Sequence, residues 1–364
     1  MKYKYWLACM AQMAENIGTG KVEKMFTFAG SAKALYDMPE KELLQIPGLI
    51  ESDVKSVLTY KKVWDLEEAW EKLKRSGLHL VTREDEKYPK RLLYISKPPY
   101  GIFYKGSLPP EGKKSIAIVG ARRCSEYGRY YAKHLAEQAA KADCVIISGL
   151  AAGIDGAAHS GALAAAGETY AVMGCGADYC YPRQNQSLYQ AMTQKGGILS
   201  EYMPETKPLG KLFPQRNRLI SGLSDVVVVI EAKERSGSLI TADFALEQGK
   251  DIYALPGRVG DVLSGGCNRL IRQGAGIIVS SEEWLKDMEI DLANIVVPNA
   301  FSKKVLEKDE GVVYSVLDLQ PKSAQQILEE TKLPVDRMCE VLLTLENAGF
   351  IKEVYKNYYI KMHE

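Results

Sequence analysis

Two strand-loop-helix units stand back to back in residues 115–159, and a chain that carries them has few folds open to it. The first is the apolar, β-branched run Ser115-Ile-Ala-Ile-Val119, which stops at Gly120 and passes through Arg122 and Ser125 into a helical pattern ending near Ala140. The second runs Cys144-Val-Ile-Ile147, then Ser148-Gly-Leu-Ala-Ala-Gly153, then a helix through Asp155 and His159. Strands alternating with helices predict an α/β chain with a parallel sheet, whose ligand crevice lies at the C-terminal ends of the strands. Amide groups at each helix start carry partial positive charge, so each of the loops at Gly120, Gly149 and Gly153 is expected to hold an anion.

The common nucleotide signatures are missing. No second glycine follows Gly120 before Gly128, so the dinucleotide fingerprint is absent, and neither Gly210-Lys211 nor Gly249-Lys250 has the upstream glycine of a P-loop. Arg122 stands in the first loop instead, and a planar five-donor group suits a phosphodiester better than a close-lying pyrophosphate. The missing fingerprint weakens a dinucleotide-dependent oxidoreductase, and no organic cofactor is expected.

Further strands are expected over 169–173, 197–200, 225–230, 251–255 and 276–279, and Val226-Val-Val-Val-Ile230 reads as buried on both faces. Several of them end in glycine or a small polar residue, which predicts one continuous groove along the sheet edge. Lys207, Lys211, Arg216 and Arg218 lie together without an acidic neighbour, with Phe213 and Asn217 among them. Cations neutralise phosphates and an aromatic ring stacks on an unpaired base, so this stretch suits a single strand. Pro208, Gly210 and Pro214 are expected to forbid a regular helix there and to leave Phe213 free as a stacking platform. Ser236, Ser238 and Thr241 open another helix and offer hydroxyls to an anion, although capping alone would explain them. Asp155 and His159, four apart, are read as a hydrogen-bonded pair on a helix surface rather than an acid/base pair.

Length and charge set the remaining bounds. A chain of 364 residues holds two or three domains, and its net charge of +1 means that polyanion binding must come from a local patch. The seven cysteines lack metal-ligand spacing, so neither a disulfide framework nor a zinc site is expected. Residues 1–20 do not read as a signal peptide, no segment approaches a membrane span, and a cytoplasmic protein is expected.

Residues 1–75 read as a helical domain. Leu43-Leu-Gln-Ile-Pro-Gly-Leu49, with Ser52 as a candidate N-cap, has the look of a helix-hairpin-helix, although a Pro-Gly turn between helices is commonly structural. Residues 76–292 form the core, entered through a Pro- and Tyr-rich connector with short strands at 78–81 and 101–104 beside the main sheet. Residues 293–304 read as a linker. Residues 305–364 pattern as three helices and a hairpin, a winged helix-turn-helix, whose third helix carries three acids against one arginine. That charge suits docking a protein at least as well as entering a phosphate-lined groove.

Taken together, Tyr88-Pro89, Val119-Gly-Ala-Arg122, Ser148-Gly-Leu-Ala-Ala-Gly-Ile-Asp155, Tyr181-Pro182, Ser200-Glu201, Phe213-Pro-Gln-Arg-Asn-Arg218, Ser236-Gly-Ser-Leu-Ile-Thr-Ala242, Pro256-Gly257 and Gly266-Cys-Asn268 resemble the DNA-processing protein A (DprA/Smf) family of natural transformation. The resemblance implies an extended Rossmann-like core that binds single-stranded DNA, self-associates as a homodimer and hands the strand to a RecA-type recombinase. It implies competence and DNA recombination rather than an enzyme, with no metal. Gly120, Arg122, Ser125, Gly149, Gly153, Arg183, Lys211, Phe213, Arg216, Asn217, Arg218, Ser236, Ser238 and Thr241 are the expected DNA contacts. Gly120-Ala-Arg122 departs from the Gly-Ser-Arg of many relatives and so lacks one hydroxyl donor. The competing reading is a nucleotide-processing phosphoribohydrolase of the same superfamily working through Glu201 or Glu231, but its Pro-Gly-Gly-x-Gly-Thr-x-x-Glu signature is absent.

Overall fold

The computed structural model describes residues 1–14, 16–290 and 306–362, which fall into two compact units. The first comprises residues up to 124 and from 131 to 290, and the second residues 125–130 with 306–362. The expected linker at 293–304 lies outside the described residues.

The first unit begins with six helices, α1 (Lys2–Met13), α2 (Thr19–Ala29), α3 (Ala32–Asp37), α4 (Glu40–Leu43), α5 (Glu51–Val63) and α6 (Leu66–Arg75). Strands β1 (His79–Thr82), β2 (Gly101–Gly106) and β3 (Ser115–Val119) follow, then α7 (Glu126–Lys141, of which residues 131–141 belong to this unit), β4 (Val145–Ser148), α8 (Ile154–Ala164), β5 (Thr169–Val172), α9 (Gln186–Met192) and β6 (Gly196–Ser200). The chain continues through α10 (Leu212–Gly222), β7 (Val226–Val229), α11 (Gly237–Glu247), β8 (Asp251–Ala254), α12 (Gly265–Arg272), β9 (Gly276–Ile277) and α13 (Ser281–Asp287). Ser52 does not cap α5. Ile50 holds the N-cap position, and the Asp53 carboxylate accepts the Ile50 N–H at 3.1 Å.

All nine strands share one sheet in the order β1-β2-β6-β5-β4-β3-β7-β8-β9. From β6 to β9 the pairing is parallel, while β1 and β2 join antiparallel at one edge, so these short strands extend the main sheet instead of lying beside it. The order reverses between β3 and β7: the chain winds outward through β4, β5 and β6, then returns to pair β7 with the other side of β3. Diverging connections at such a reversal leave a crevice beyond the strand ends.

Val226 to Val229 are all buried, because crossover elements cover both faces of β7. On one face, Ala171, Met173 and Ile198 join the same buried cluster as Trp6, Leu7 and Met10 of α1. The Tyr5 ring meets Phe103 of β2 edge-on at 5.8 Å. The other face packs Val119, Ile147, Leu219 and Val227 with Ala242 and Cys267. No helix among the described residues is long and apolar enough to cross a membrane, and all seven cysteines are free thiols.

The second unit holds α14 (Lys308–Val316), β10 (Lys322–Ser323), α15 (Ala324–Thr331), α16 (Val335–Asn347), β11 (Ile351–Tyr355) and β12 (Tyr358–Lys361), with the strands ordered β10-β12-β11. Ser323 and Gln326 cap α15 reciprocally, and Val313, Ile327, Val341, Leu345 and Ile351 make a separate small core.

Asp155 and His159 do not bond to each other on a helix surface, as both are buried inside the first unit. The Thr169 hydroxyl donates to the Ile146 carbonyl at 2.9 Å, so it must accept from His159 Nδ1–H at 2.7 Å. Nε2 is then an unprotonated nitrogen without a partner among the described residues. Burial, with a smaller push from Arg216, lowers the His159 pKa from 6.5 to about 3. Between those values the unfolded chain binds a proton that the folded chain refuses, so stability falls as pH falls from 6.5 towards 3. His159→Gln, followed by urea unfolding across this range, is expected to flatten the slope by up to about 1.4 kcal/mol per pH unit relative to the unaltered chain.

Candidate nucleic-acid interface

The crevice at the β3/β7 reversal is an open cavity of about 360 Å³. Val119, Gly120, Arg122 and Arg123 reach it from the end of β3, Lys233, Arg235 and Ser236 from beyond β7, and Phe213, Arg216 and Asn217 from α10. Ser238 and Thr241 of α11 and Asp155 of α8 complete the polar lining. Arg235, Ser236 and Gly237 also line a neighbouring hollow with Asp243 and Arg269, so the groove continues towards α12.

The two glycine loops do different things. In the second, the Asp155 carboxylate accepts the Gly149 N–H at 3.2 Å and points towards that of Ala151 at 3.4 Å. The Ile154 N–H donates to the Ala121 carbonyl. The anion expected in this loop is thus supplied by the chain itself, and the loop offers no vacant cup. Gly153 has a φ of +81°, and a Cβ there would lie 2.3 Å from the Ala121 carbonyl oxygen, so the two loops touch through this residue. Burial pushes the Asp155 carboxyl above the ordinary carboxylate range, against the pull of the Arg216 charge.

Arg216 is 3% exposed and does not act as a solvated charge. Its guanidinium donates to the carbonyl of Gly149 at 3.1 Å and to that of Val172, joining the ends of β4 and β5. A Cβ on Gly149 would fall 2.6 Å from Arg216 Nη2, so this cation packs flat on the glycine. Arg218, 8% exposed, turns away from the cavity and pairs with Glu201 at 2.5 Å. Of the cluster expected on a breaker-rich loop, Phe213, Arg216, Asn217 and Arg218 are in fact helical, while Lys207 and Lys211 precede the helix. Pro214 sits in the first turn of α10, where its missing N–H would have had no helical partner.

Phe213 is half-buried on that first turn. Its ring centroid lies 5.5 Å from that of Tyr181, itself 40% exposed, and the Arg122 guanidinium stands 5.1 Å above it. Asn217 donates to the Gly237 carbonyl at 3.1 Å, tying α10 to the start of α11. The Ser236 hydroxyl lies 2.8 Å from that of Ser238 and accepts its N–H at 3.4 Å. Ser125 accepts the Gly128 N–H at 3.0 Å and caps its own helix. Arg183 and Lys211 are exposed but are not among the residues lining the cavity.

Three cavity cations were not singled out in the sequence: Arg123, Lys233 and Arg235. All three are exposed, and with Arg122 they make no ion pair among the described residues. Their positions directly after β3 and β7 were the available signal, since loops at a sheet reversal converge. Asp155 is the one carboxylate among the described lining residues. Glu201 is engaged by Arg218, and neither Glu201 nor Glu231 is among the residues lining this cavity.

A family profile described as DNA recombination-mediator protein A matches residues 79–289. The chain belongs to that family. It is 42% identical over 217 residues to the DNA processing protein DprA of Bacillus subtilis, covering 59% of this chain and 73% of the relative. The X-ray structure of Streptococcus pneumoniae DNA processing protein A aligns with a TM-score of 0.68 and 33% identity, covering 79% of this chain and 98% of that one. A structure of the Helicobacter pylori DNA processing protein A, described for its unique single-stranded DNA binding mode, aligns with a TM-score of 0.53 and 32% identity over 59% of this chain and 97% of that one.

The two arginines nearest Phe213 are expected to separate cleanly in urea unfolding. Arg216→Met leaves two strand-end carbonyls unpaired and the Asp155 charge uncompensated, and should cost about 3–5 kcal/mol. Arg122→Met, at an exposed position, should stay within about 0.5 kcal/mol of the unaltered chain.

Proposed function

We propose that this protein binds single-stranded DNA, without sequence preference, in the groove at the β3/β7 reversal. The observation that carries the proposal is the set of four exposed cations, Arg122, Arg123, Lys233 and Arg235, around the half-buried ring of Phe213. A strand with unpaired bases needs both elements: charge along the backbone and an aromatic face for a base. In this reading the first glycine loop, the start of α11 and the four cations hold phosphates, with Lys211 and Arg183 as outlying contacts. A base stacks on Phe213 in place of the Arg122 guanidinium, which swings to the phosphate. Arg216, Asn217 and Gly153 act by shaping the groove.

We place this activity in natural transformation and DNA recombination, in the cytoplasm, and within residues 76–292; the recombination-mediator profile over residues 79–289 supports the recombination role. We extend the proposal to a homodimer that delivers the strand to a RecA-type recombinase. One groove of this size holds only a few nucleotides, and joining two raises avidity through effective concentration.

Oligo-dT binding, followed by fluorescence anisotropy against a duplex of equal length, tests the reading. Neutralising four phosphates on a single strand gives a slope of about −3 in log K against log salt. Arg122→Ala, Lys233→Ala and Arg235→Ala should each make the slope shallower by about 0.7. Phe213→Ala should cost roughly 1–3 kcal/mol of binding. Salt-independent binding, or equal affinity for the duplex, would overturn the proposal.

A further inference from the structure

The second unit has the outline of a duplex-DNA reader but the charge of something else. Its described residues 306–362 carry ten acidic against seven basic side chains, a net charge of −3. On α16, the helix that such a module would lay in a major groove, Asp336, Glu340 and Glu346 face a single cation, Arg337. That cation is already engaged, by Asp309 at 2.8 Å, Glu340 at 2.9 Å and Glu307 at 3.5 Å. A helix with net negative charge and no free guanidinium is repelled by a phosphate-lined groove.

The same helix has an uncovered apolar row. Met338, Val341, Leu342 and Leu345 turn inward to the core. Val335, Cys339 and Leu343 recur every four residues on another face, with Val335 56% and Leu343 61% exposed and Cys339 exposed as well. At 100° per residue, Asp336 and Glu340 form a parallel row directly beside this stripe. A row of apolar side chains edged by carboxylates is complementary to a helix bearing leucine-like residues on one face and lysine or arginine alongside.

We infer that α16 is a docking surface for a basic amphipathic helix of a partner protein, with Val335, Cys339 and Leu343 covered by its apolar face and Asp336 and Glu340 meeting its cations. This goes beyond the DNA groove, which lies in the other unit and uses none of these residues. So small a stripe fits a transient contact, with a Kd on the order of 10 μM.

The test uses the full chain and a synthetic Leu/Lys peptide with leucines at helical spacing, compared with a scrambled peptide of identical composition. Isothermal titration should show the amphipathic peptide binding about tenfold or more tightly than its scramble. Leu343→Asn and the double variant Asp336→Asn/Glu340→Gln should each abolish most of that preference while oligo-dT binding is retained, which separates this inference from the DNA proposal. Equal affinity for the two peptides, or a preference untouched by Leu343→Asn, would overturn it. Duplex-DNA binding weakened by Leu343→Asn would overturn it in favour of a DNA-reading surface. Loss of self-association in sedimentation of the same variant would overturn it in favour of a second copy of this chain.

Discussion

A single buried guanidinium holds the ligand edge of the sheet together. Arg216 enters from α10 and spends its donors on the carbonyls that terminate β4 and β5, lying flat on the one residue, Gly149, that leaves room for it. Its charge is balanced across the loop by Asp155, which is in turn held by backbone amides. Carbonyl oxygens at strand ends are under-satisfied acceptors, and burying them would otherwise cost about 1–3 kcal/mol each. The shape of the groove therefore depends on an arginine that does not face solvent.

This arrangement divides the basic residues into two kinds. Arg216 and Arg218 are structural cations with fixed partners, and they fix the position of α10. Arg122, Arg123, Lys233 and Arg235 are exposed on the groove and come from two loops more than a hundred residues apart in the chain. Only the return of the chain from β6 to β7 brings them together.

Much of the frame was legible in the sequence because it is written in short-range patterns. β-Branched runs ending in glycine gave the strands and their turns. Arg122 and Phe213 stood out as an unusual loop cation and an aromatic among cations, and both line the cavity. What could not be read was long-range. Whether an arginine is buried depends on which carbonyls lie opposite it, and Arg216 and Arg218 look no different from Lys211 in a linear text. Asp155 likewise read as a surface residue because its acceptor role depends on a loop that folds back over the helix start. Pro214 misled for a local reason: a proline breaks a helix interior but suits a first turn, and the boundary between them was one turn away.

The occupied loop around Asp155 has a consequence for how the molecule behaves between rounds of work. An empty anion cradle leaves its converging amides and helix terminus to be answered by water. Here one of the two cradles is filled from within, by the Asp155 carboxyl group that accepts the Gly149 N–H. The architecture at the sheet edge is thereby complete in the absence of cargo. A scaffold of that kind does not have to assemble around a ligand to take its shape.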